Sequence, residues 1–357
     1  MKRKVAVVGL GIGRAHIDEG YSKLPAQWEV AAICDLDAAR LAEVGDAFGI
    51  ARRTSSFADV LGMTDIDVVD ICTPPSLHRE QLLAAMASGK HVIGEKPFVT
   101  SLAEMDAIEA AAAAARGTVM PIFQYRWGDG FRRALRVVRA GLAGKPYTAT
   151  VETAWRRDKD YYDIAWHGTW AIERGGCLLG HAIHSHDMMQ ELMGDALSVY
   201  AHVATRVNPI ETEDCAAATL RMASGAVVAL AATLGSASEI SRMRLHFENV
   251  TFESSTEPYA PGNEPWQILP RNAAAKEAIG ALLADHASYP IRFEGQLRAY
   301  GEALDAGEGP PVTLRDARRS LELITALYGS VASGVPQALP MAPTHRGYRD
   351  WRPGAQP

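Results

Sequence analysis

The sequence predicts an α/β protein in which a doubly wound parallel sheet is followed by a second α/β domain with a large, mainly antiparallel, open-faced sheet. Three observations predict this class. Strands and helices alternate up to residue 123, a glycine-rich turn follows the first strand, and strand-like runs dominate the remainder. A chain of 357 residues also exceeds what one core commonly holds. We therefore expect domains at residues 1–123 and 124–357.

In the first domain, short β-branched runs predict strands, and apolar residues at helical spacing predict the intervening helices. The predicted strands are 4–8, 29–34, 68–72, 91–94 and 118–123. The predicted helices follow the turn at 9–13 up to about residue 24, and then span 38–48, 77–88 and 102–115.

Beyond residue 124, consecutive strands without intervening helices predict antiparallel pairing. The predicted strands are 148–155, 198–207, 215–222, 226–234 and 243–252. The predicted helices are 130–140, 181–193, 291–305 and 314–333. An open apolar sheet face is rarely left in water, so we expect a homodimer or homotetramer.

The composition limits the partners. With 48% apolar and 22% charged residues and a net charge of −6, the chain has the balance of a globular protein and no excess of basic residues, so we expect no nucleic-acid partner. No stretch approaches the roughly 20 apolar residues of a membrane span. The four cysteines contain no C-x-x-C pair, which favours a reducing, cytoplasmic location.

The glycine-rich turn is Gly9-Leu10-Gly11-Ile12-Gly13, placed between a strand and a helix. In that context glycines let the backbone approach a pyrophosphate, as in a Rossmann dinucleotide-binding domain. The third glycine comes one residue earlier than in G-x-G-x-x-G, and the alternative is a purely structural turn.

Asp35 lies 24 residues beyond Gly11, at the end of the second predicted strand. A carboxylate there accepts hydrogen bonds from the adenosine ribose and repels a 2′-phosphate, which favours NAD over NADP. The alternative is that Asp35 caps the next turn.

Three further motifs are Thr73-Pro74-Pro75 with His78, Gly89-Lys90-His91-Val92, and Glu95-Lys96-Pro97. Together they resemble the glucose-fructose oxidoreductase and inositol dehydrogenase (Gfo/Idh/MocA) family, whose pattern runs T-P-x-x-x-H, G-K-H-V and E-K-P. The likeness covers nearly the whole chain. It implies a Rossmann domain, NAD, and cofactor contacts from the turn, Asp35, Thr73, Pro74, His78, Glu95, Lys96, Gln124 and Arg126.

The resemblance also implies that Lys96 lies beside the nicotinamide and hydrogen-bonds the reacting hydroxyl. An ammonium there stabilises a developing alkoxide, and partial burial lowers the lysine pKa toward proton exchange. A cis peptide before Pro97 would direct Lys96 into the cleft. The alternative is a surface lysine after a strand.

The family's second element is G-G-G-x-L-x-D-x-G-x-H-x-x-D, whose histidine is the general base supported by the first aspartate. This alignment places His184 at the histidine, Asp187 at the last aspartate and Gly180 at the first aspartate. A base without its orienting partner can adopt the wrong tautomer, so the relay does not transfer directly. His181, one helical turn earlier, is a candidate substitute.

The histidines at 181, 184 and 186 also raise the question of a metal. The region has no thiolate and no H-E-x-x-H arrangement, so we expect none, and His186 is either packed in the core or solvated.

The segment between the motifs is rich in aromatic residues, whose flat faces and donors suit a sugar ring. Core packing or solvated charge is the alternative for each residue. The expected substrate contacts are Lys96, Arg126, Arg156, Tyr162, Trp166, His167, His181, His184 and Asp187.

These observations favour a dehydrogenase that transfers hydride from a sugar or polyol carbinol to NAD, with Lys96 and His184 handling the proton. Gly180 raises one alternative, an NAD-dependent glycoside hydrolase that oxidises C3 transiently, eliminates the aglycone and reduces again. A non-catalytic NAD-binding regulator is the third hypothesis.

Overall fold

A computed structural model of the chain describes residues 2–354. These residues form two compact units. The first runs to Gln124 and includes Arg292–Arg318, and the second comprises Tyr125–Ile291 and the chain from Arg319 onward. The expected linear division at residues 123 and 124 differs from these units, because the first unit includes Gln124 and the later segment 292–318.

The first unit contains a six-stranded, all-parallel sheet in the order β3-β2-β1-β4-β5-β6. Its strands are β1 Arg3–Val8, β2 Trp28–Cys34, β3 Arg53–Thr54, β4 Val68–Ile71, β5 His91–Gly94 and β6 Val119–Pro121. The predicted doubly wound class is confirmed. The order reverses between β1 and β4, and ligands of such sheets bind at the carboxyl ends of strands at this point.

The helices of this unit are α1 Gly13–Glu19, α2 Ala38–Ala47, α3 Phe57–Gly62, α4 Pro75–Ala87, α5 Leu102–Ala114 and α10 Arg292–Ala306. The first helix ends earlier than predicted, at Glu19, and a 3₁₀ turn Tyr21–Lys23 follows. A Cβ at Gly20 would lie 2.6 Å from Leu297 Cδ1, so this glycine lets α10 pack closely. The Gln296 side chain also accepts the Phe123 N–H (3.0 Å) and donates to the Pro121 carbonyl (2.8 Å).

The second unit contains an eight-stranded sheet in the order β13-β12-β11-β7-β10-β9-β8-β14. Its strands are β7 Pro146–Arg156, β8 Ala196–Ala204, β9 Cys215–Met222, β10 Val227–Thr233, β11 Gly235–Phe247, β12 Val250–Glu253, β13 Gln267–Pro270 and β14 Gln337–Ala338. All neighbours pair antiparallel except β7 and β10, which are parallel. The run 243–252, predicted as one strand, is instead the hairpin of β11 and β12, since the chain turns at Glu248 and Asn249.

The helices that accompany this sheet are α6 Asp129–Arg139, α7 Lys159–Tyr162, α8 Ile183–Met193, α9 Ala273–Leu283 and α11 Leu314–Ser333. The helix predicted from residue 181 begins at Ile183, because a π-helical turn, Cys177–His181, precedes it. In that turn the Ala182 N–H donates to the Cys177 carbonyl, five residues earlier, at 2.8 Å. Every residue of α8 except Glu191 is buried, so its polar side chains lie in the interior of the unit.

Within residues 2–354, no helix is both long enough and apolar enough to cross a membrane.

Candidate functional site

The glycine-rich turn follows β1 at the point where the strand order reverses. A Cβ at Gly9, whose φ is +87°, would lie 2.7 Å from the Cys72 backbone, and a Cβ at Gly13 would lie 2.8 Å from Val7 Cγ1. No atom lies within 4 Å of a Cβ built on Gly11. Gly9 therefore shapes the turn, Gly13 lets α1 pack on β1, and Gly11 leaves space for a pyrophosphate to approach the backbone. The flanking Leu10 is buried and Ile12 is exposed.

Asp35 ends β2 beside this turn. Its Oδ2 accepts the Leu10 N–H (2.7 Å) and its Oδ1 accepts the Asp37 N–H (2.9 Å). The carboxylate thus connects the turn to the start of α2, and its position fits a ribose. Nη1 of Arg40 lies 3.5 Å from Oδ2, and 46% of the Arg40 side chain is exposed. Arg40, five residues after Asp35, was not among the predicted site residues.

His78 ties together the loops that follow β4 and β5. Its Nε2 lies 2.7 Å from the Thr73 carbonyl oxygen and its Nδ1 lies 2.9 Å from that of Pro97. Burial lowers the pKa of His78, and the hydrogen bonds to the Thr73 and Pro97 carbonyls oppose this shift. Both nitrogens face main-chain atoms, so the structure shows a supporting role. The direct cofactor contacts of Thr73, Pro74 and His78 stay predictions.

Glu95 connects Lys96 to a buried polar network. Its Oε2 accepts the Lys96 N–H at 2.8 Å, and its Oε1 lies 2.9 Å from His16 Nε2. His16 Nδ1 lies 2.8 Å from Asp70 Oδ2, which also accepts the Tyr21 hydroxyl at 2.8 Å. The Lys96–Pro97 peptide is cis, as the resemblance implies.

Burial lowers the pKa of His16, but the charge and hydrogen bond of Asp70, together with Cys72, outweigh burial and raise that pKa well above its ordinary value. The ring lies between the Asp70 and Glu95 carboxylates, an arrangement that favours its protonated form. Sequence reasoning missed His16 and Asp70, although an aspartate inside the apolar β4 was a signal for a buried polar partner.

Three side chains of this region could in principle bind a metal. Among the described residues, His16, Asp70 and Cys72 offer possible ligand atoms within 4.8 Å of one another. The 2.8 Å between His16 Nδ1 and Asp70 Oδ2 is a hydrogen-bond distance. Two ligands at about 2.0 Å from one tetrahedral zinc would be roughly 3.3 Å apart. The geometry is that of a hydrogen-bonded network.

Gln124 follows β6. Its Oε1 is buried and has no hydrogen-bond partner among residues 2–354, so the amide is available to a ligand. The open space at Gly11, the Asp35 carboxylate and this amide together fit a bound NAD.

His184 lies on α8 and is buried, and its ring stacks on Tyr125 with centroids 4.3 Å apart. The His181 ring lies edge-on to Trp155 at 5.6 Å, and the Tyr161 ring is 5.7 Å away. The two histidines thus have different aromatic neighbours, and the π-helical turn ending at His181 interrupts the regular α-helical spacing between them. That His181 orients His184 stays a prediction.

His186 is also buried, and burial lowers its pKa to about 4. Its imidazole is therefore neutral at pH 7 and belongs to the core.

Arg126 and Asp187 bind each other. Arg126 Nε donates to Asp187 Oδ2 at 2.7 Å and Nη2 to Oδ1 at 2.6 Å, and the Arg126 and Asp187 side chains are 10% and 2% exposed. Glu191 lies 3.6 Å from Nη1. This bidentate pair holds the segment that carries Tyr125 against α8. The expected ligand contacts of Arg126 and Asp187 stay predictions beside this structural role.

The aromatic segment forms a cluster around Arg157. Its guanidinium lies 5.3 Å from the Trp155 ring centroid and 5.2 Å from that of Tyr161. His167 stacks on Tyr161 at 4.2 Å. The predicted contacts Tyr162, Trp166 and His167 are partly exposed in this region, and the exposed Arg156 pairs with Asp158 at 2.7 Å. Three partly exposed rings can therefore meet a ligand, whereas Arg156 has a surface ion pair.

Fold and site residues together define a two-domain oxidoreductase with a dinucleotide-binding domain. The family model described as "Oxidoreductase family, NAD-binding Rossmann fold" matches residues 3–123, and the Gfo/Idh/MocA C-terminal domain model matches residues 131–253. The chain belongs to the Gfo/Idh/MocA family, and its N-terminal domain is an NAD-binding Rossmann domain.

Similar proteins include the uncharacterized oxidoreductase YrbE of Bacillus subtilis, which is 26% identical over 93% of this chain and 95% of its own. Levoglucosan dehydrogenase of Pseudarthrobacter phenanthrenivorans is 26% identical over 84% of this chain and 82% of its own. The crystal structure of the WlbA dehydrogenase from Bordetella pertussis, in complex with NADH and UDP-GlcNAcA, has a TM-score of 0.84 at 26% identity, covering 96% of this chain and 100% of that one.

Proposed function

We propose that this chain is an NAD-dependent dehydrogenase acting on a secondary hydroxyl of a sugar, polyol or sugar derivative. The observation that carries the proposal is the Glu95-Lys96-Pro97 loop of an NAD-binding domain, in which buried Glu95 fixes the Lys96 main chain. Two similar proteins, a levoglucosan dehydrogenase and a dehydrogenase crystallised with a nucleotide sugar, support the substrate class.

When bound, NAD⁺ supplies the hydride acceptor. The Gly11 backbone, the Asp35 carboxylate and the Gln124 amide would hold it. Lys96 donates a hydrogen bond to the reacting hydroxyl oxygen and stabilises the negative charge that develops there. His184 accepts the hydroxyl proton as the carbinol C–H bond breaks and becomes an imidazolium, so charge and protons balance.

The substrate would be recognised by the partly exposed rings of Tyr162, Trp166 and His167. Their flat faces suit the C–H faces of a sugar ring, and their polar atoms suit its hydroxyl edges. Arg156 would add a cation if the substrate carries an acidic group.

A second candidate function is glycoside hydrolysis through transient oxidation at C3, elimination of the aglycone and re-reduction. Gly180 favours this second candidate, because the proton relay of a simple family dehydrogenase uses an aspartate that this chain lacks at position 180. In that cycle NAD is regenerated at every turnover.

The test is a panel of sugars, polyols and glycosides with NAD⁺ and with NADP⁺, monitoring nicotinamide absorbance and glycoside cleavage in parallel. The dehydrogenase proposal expects reduced nicotinamide to accumulate with NAD⁺ and at least one free sugar or polyol. Glycoside cleavage without net reduction would replace it by the second candidate, and neither signal across the panel would reject both.

We also propose that the sheet of the second unit mediates a homodimer or homotetramer. Val227, Ala229 and Ala231 of β10 are exposed on one face of this sheet, and Val227 is 53% exposed, an apolar strip that favours self-association. Val227→Asp should therefore shift the mass measured by light scattering toward the monomer, whereas an unchanged mass would exclude this face as the interface.

We propose a cytoplasmic location as well, because the four cysteines are free.

A further inference from the structure

Position 180, where the family pattern has an aspartate, lies beside a carboxylate from another part of the chain. Gly180 lies in the π-helical turn Cys177–His181, four residues before His184. A Cβ built on Gly180 would lie 3.6 Å from Oε1 of Glu173. A carboxylate oxygen is thus in van der Waals contact with the point where an aspartate side chain would leave the backbone.

Glu173 is buried, with 7% of its surface exposed. Its Oε2 accepts the Gly168 N–H, and its Oε1 is the atom that lies closest to a Cβ at position 180. Burial and then the charge of Glu173 raise the pKa of both Tyr161 and Tyr162, so the carboxylate acts electrostatically on the aromatic cluster.

The backbone around Glu173 is held by contacts on both sides. The Glu173 N–H donates to the Thr169 carbonyl at 3.1 Å, and the next residue, Arg174, has φ of +71°, which is uncommon for a residue other than glycine. The Arg174 carbonyl accepts the Trp351 indole N–H at 2.7 Å. Such a conformation persists where its surroundings hold it, so the turn that presents Glu173 is well determined.

Glu213, a second buried glutamate at the π-helical turn, has a different task. Its Oε1 accepts the Leu178 N–H (3.0 Å) and the Tyr328 hydroxyl (2.9 Å), and both oxygens lie 3.1 Å from the Gly176 nitrogen. Glu213 therefore anchors the start of the turn, and Glu173 is the carboxylate directed at position 180.

We propose that Glu173 is the positioning residue for the His184 base, supplying from a different sequence position the carboxylate that is missing at Gly180. This inference rests on the proposed function, in which His184 takes the hydroxyl proton. A carboxylate near the turn stabilises the imidazolium that forms during proton transfer and raises the pKa of the base. Other titratable and charged groups also surround the turn and α8: His181, His186, Asp187, Tyr125, Arg126, Tyr161, Tyr162, Arg157, Glu213 and Asp214.

The experiment is a carboxylate exchange using Glu173→Gln, Gly180→Asp and the double variant. Glu173→Gln should lower kcat by about 10- to 100-fold, with KM for substrate and NAD⁺ changed less than about twofold, because a positioned base contributes about 10² or more. Gly180→Asp alone sets a second carboxylate against Glu173 and should also lower kcat. The double variant should recover at least about tenfold of the lost activity. Glu248→Gln, which alters a glutamate that accepts the Lys145 N–H in the β11–β12 hairpin, is the matched control and should match the wild type.

The pH profile separates positioning from mere structural support. His184 must be neutral to accept a proton, and loss of the carboxylate lowers its pKa, so the acidic limb of kcat/KM should move to lower pH in Glu173→Gln and return in the double variant. A wild-type profile and kcat in Glu173→Gln would overturn the inference. A lower kcat in Glu173→Gln, with an unshifted acidic limb of kcat/KM and no recovery in the double variant, would also overturn it.

Histidine-ring NMR keeps this inference distinct from the proposed function. If the wild type turns over no substrate of the panel, the proposed function fails. The titration midpoint of His184 should still fall in Glu173→Gln and rise again in the double variant. An unchanged midpoint would reject the role of Glu173 whether or not a substrate is known.

Discussion

His16 Nε2 lies 2.9 Å from Oε1 of Glu95 in the interior of the first unit. Because the other Glu95 oxygen accepts the Lys96 N–H, this contact supports the backbone of the proposed catalytic lysine. The His16 ring is completely buried and also bonded to Asp70, so its charge is compensated by carboxylates on both sides.

The first prediction concerns pH and stability. The folded-state pKa of His16 is raised above the unfolded value of about 6.5, so its contribution is fully present below pH 6.5 and is lost as pH rises toward the folded pKa. His16→Gln should cost roughly 3 kcal/mol of unfolding free energy at pH 6, and this difference should shrink at alkaline pH. Urea denaturation at several pH values measures it.

The control is His91→Gln. Burial lowers the pKa of His91, so the difference in unfolding free energy between wild type and His91→Gln should not shrink at alkaline pH. A constant difference between wild type and His16→Gln from pH 6 to pH 9 would show that the ring is neutral in the folded protein.

The second prediction uses the glycine turn. Gly11→Ala adds a methyl group to open space and should keep the melting temperature while weakening NAD⁺ binding by about tenfold or more. Gly13→Ala places a Cβ 2.8 Å from Val7 Cγ1 and should lower the melting temperature instead. Thermal melts and cofactor titrations of the pair distinguish the two roles. Equal loss of stability in both variants would refute the assignment of Gly11.

The third prediction concerns cofactor choice. Asp35→Ser should weaken NAD⁺ binding by about tenfold and strengthen NADP⁺ binding, because the repelling carboxylate is gone and the neighbouring Arg40 can pair with a 2′-phosphate. Adding Arg40→Gln should remove the NADP⁺ gain. Fluorescence titration measures both affinities, and an Asp35→Ser variant that binds NADP⁺ no better than wild type would contradict this role of Arg40.

Local patterns were enough to predict the Rossmann domain, because β1, the glycine turn and Asp35 lie within one βαβ unit. The predicted start of α8 was off by two residues because a π-helical turn carries no hydrophobic period of its own. Three short strands, β3, β13 and β14, were missed because strands of two to four residues have too few positions to show alternation.

The site was harder to predict where it depends on long-range contacts. Lys96 and His184 lie in motifs, so the resemblance selected them as candidates. His16 and Glu173 have neighbours that are distant in sequence or placed by an irregular turn. No spacing rule links His16 to Glu95, 79 residues away, or places Glu173 beside Gly180.

The proposed role of Lys96 is tested most directly by the turnover of Lys96→Ala on a substrate identified by the panel. The affinity for NAD⁺ is measured on the same preparation. We predict that kcat falls by about 10²- to 10⁴-fold while the dissociation constant of NAD⁺ changes less than about threefold, because the ammonium acts on the hydroxyl that loses its proton. Turnover at the wild-type rate would contradict the assignment of Lys96 and the mechanism built on it.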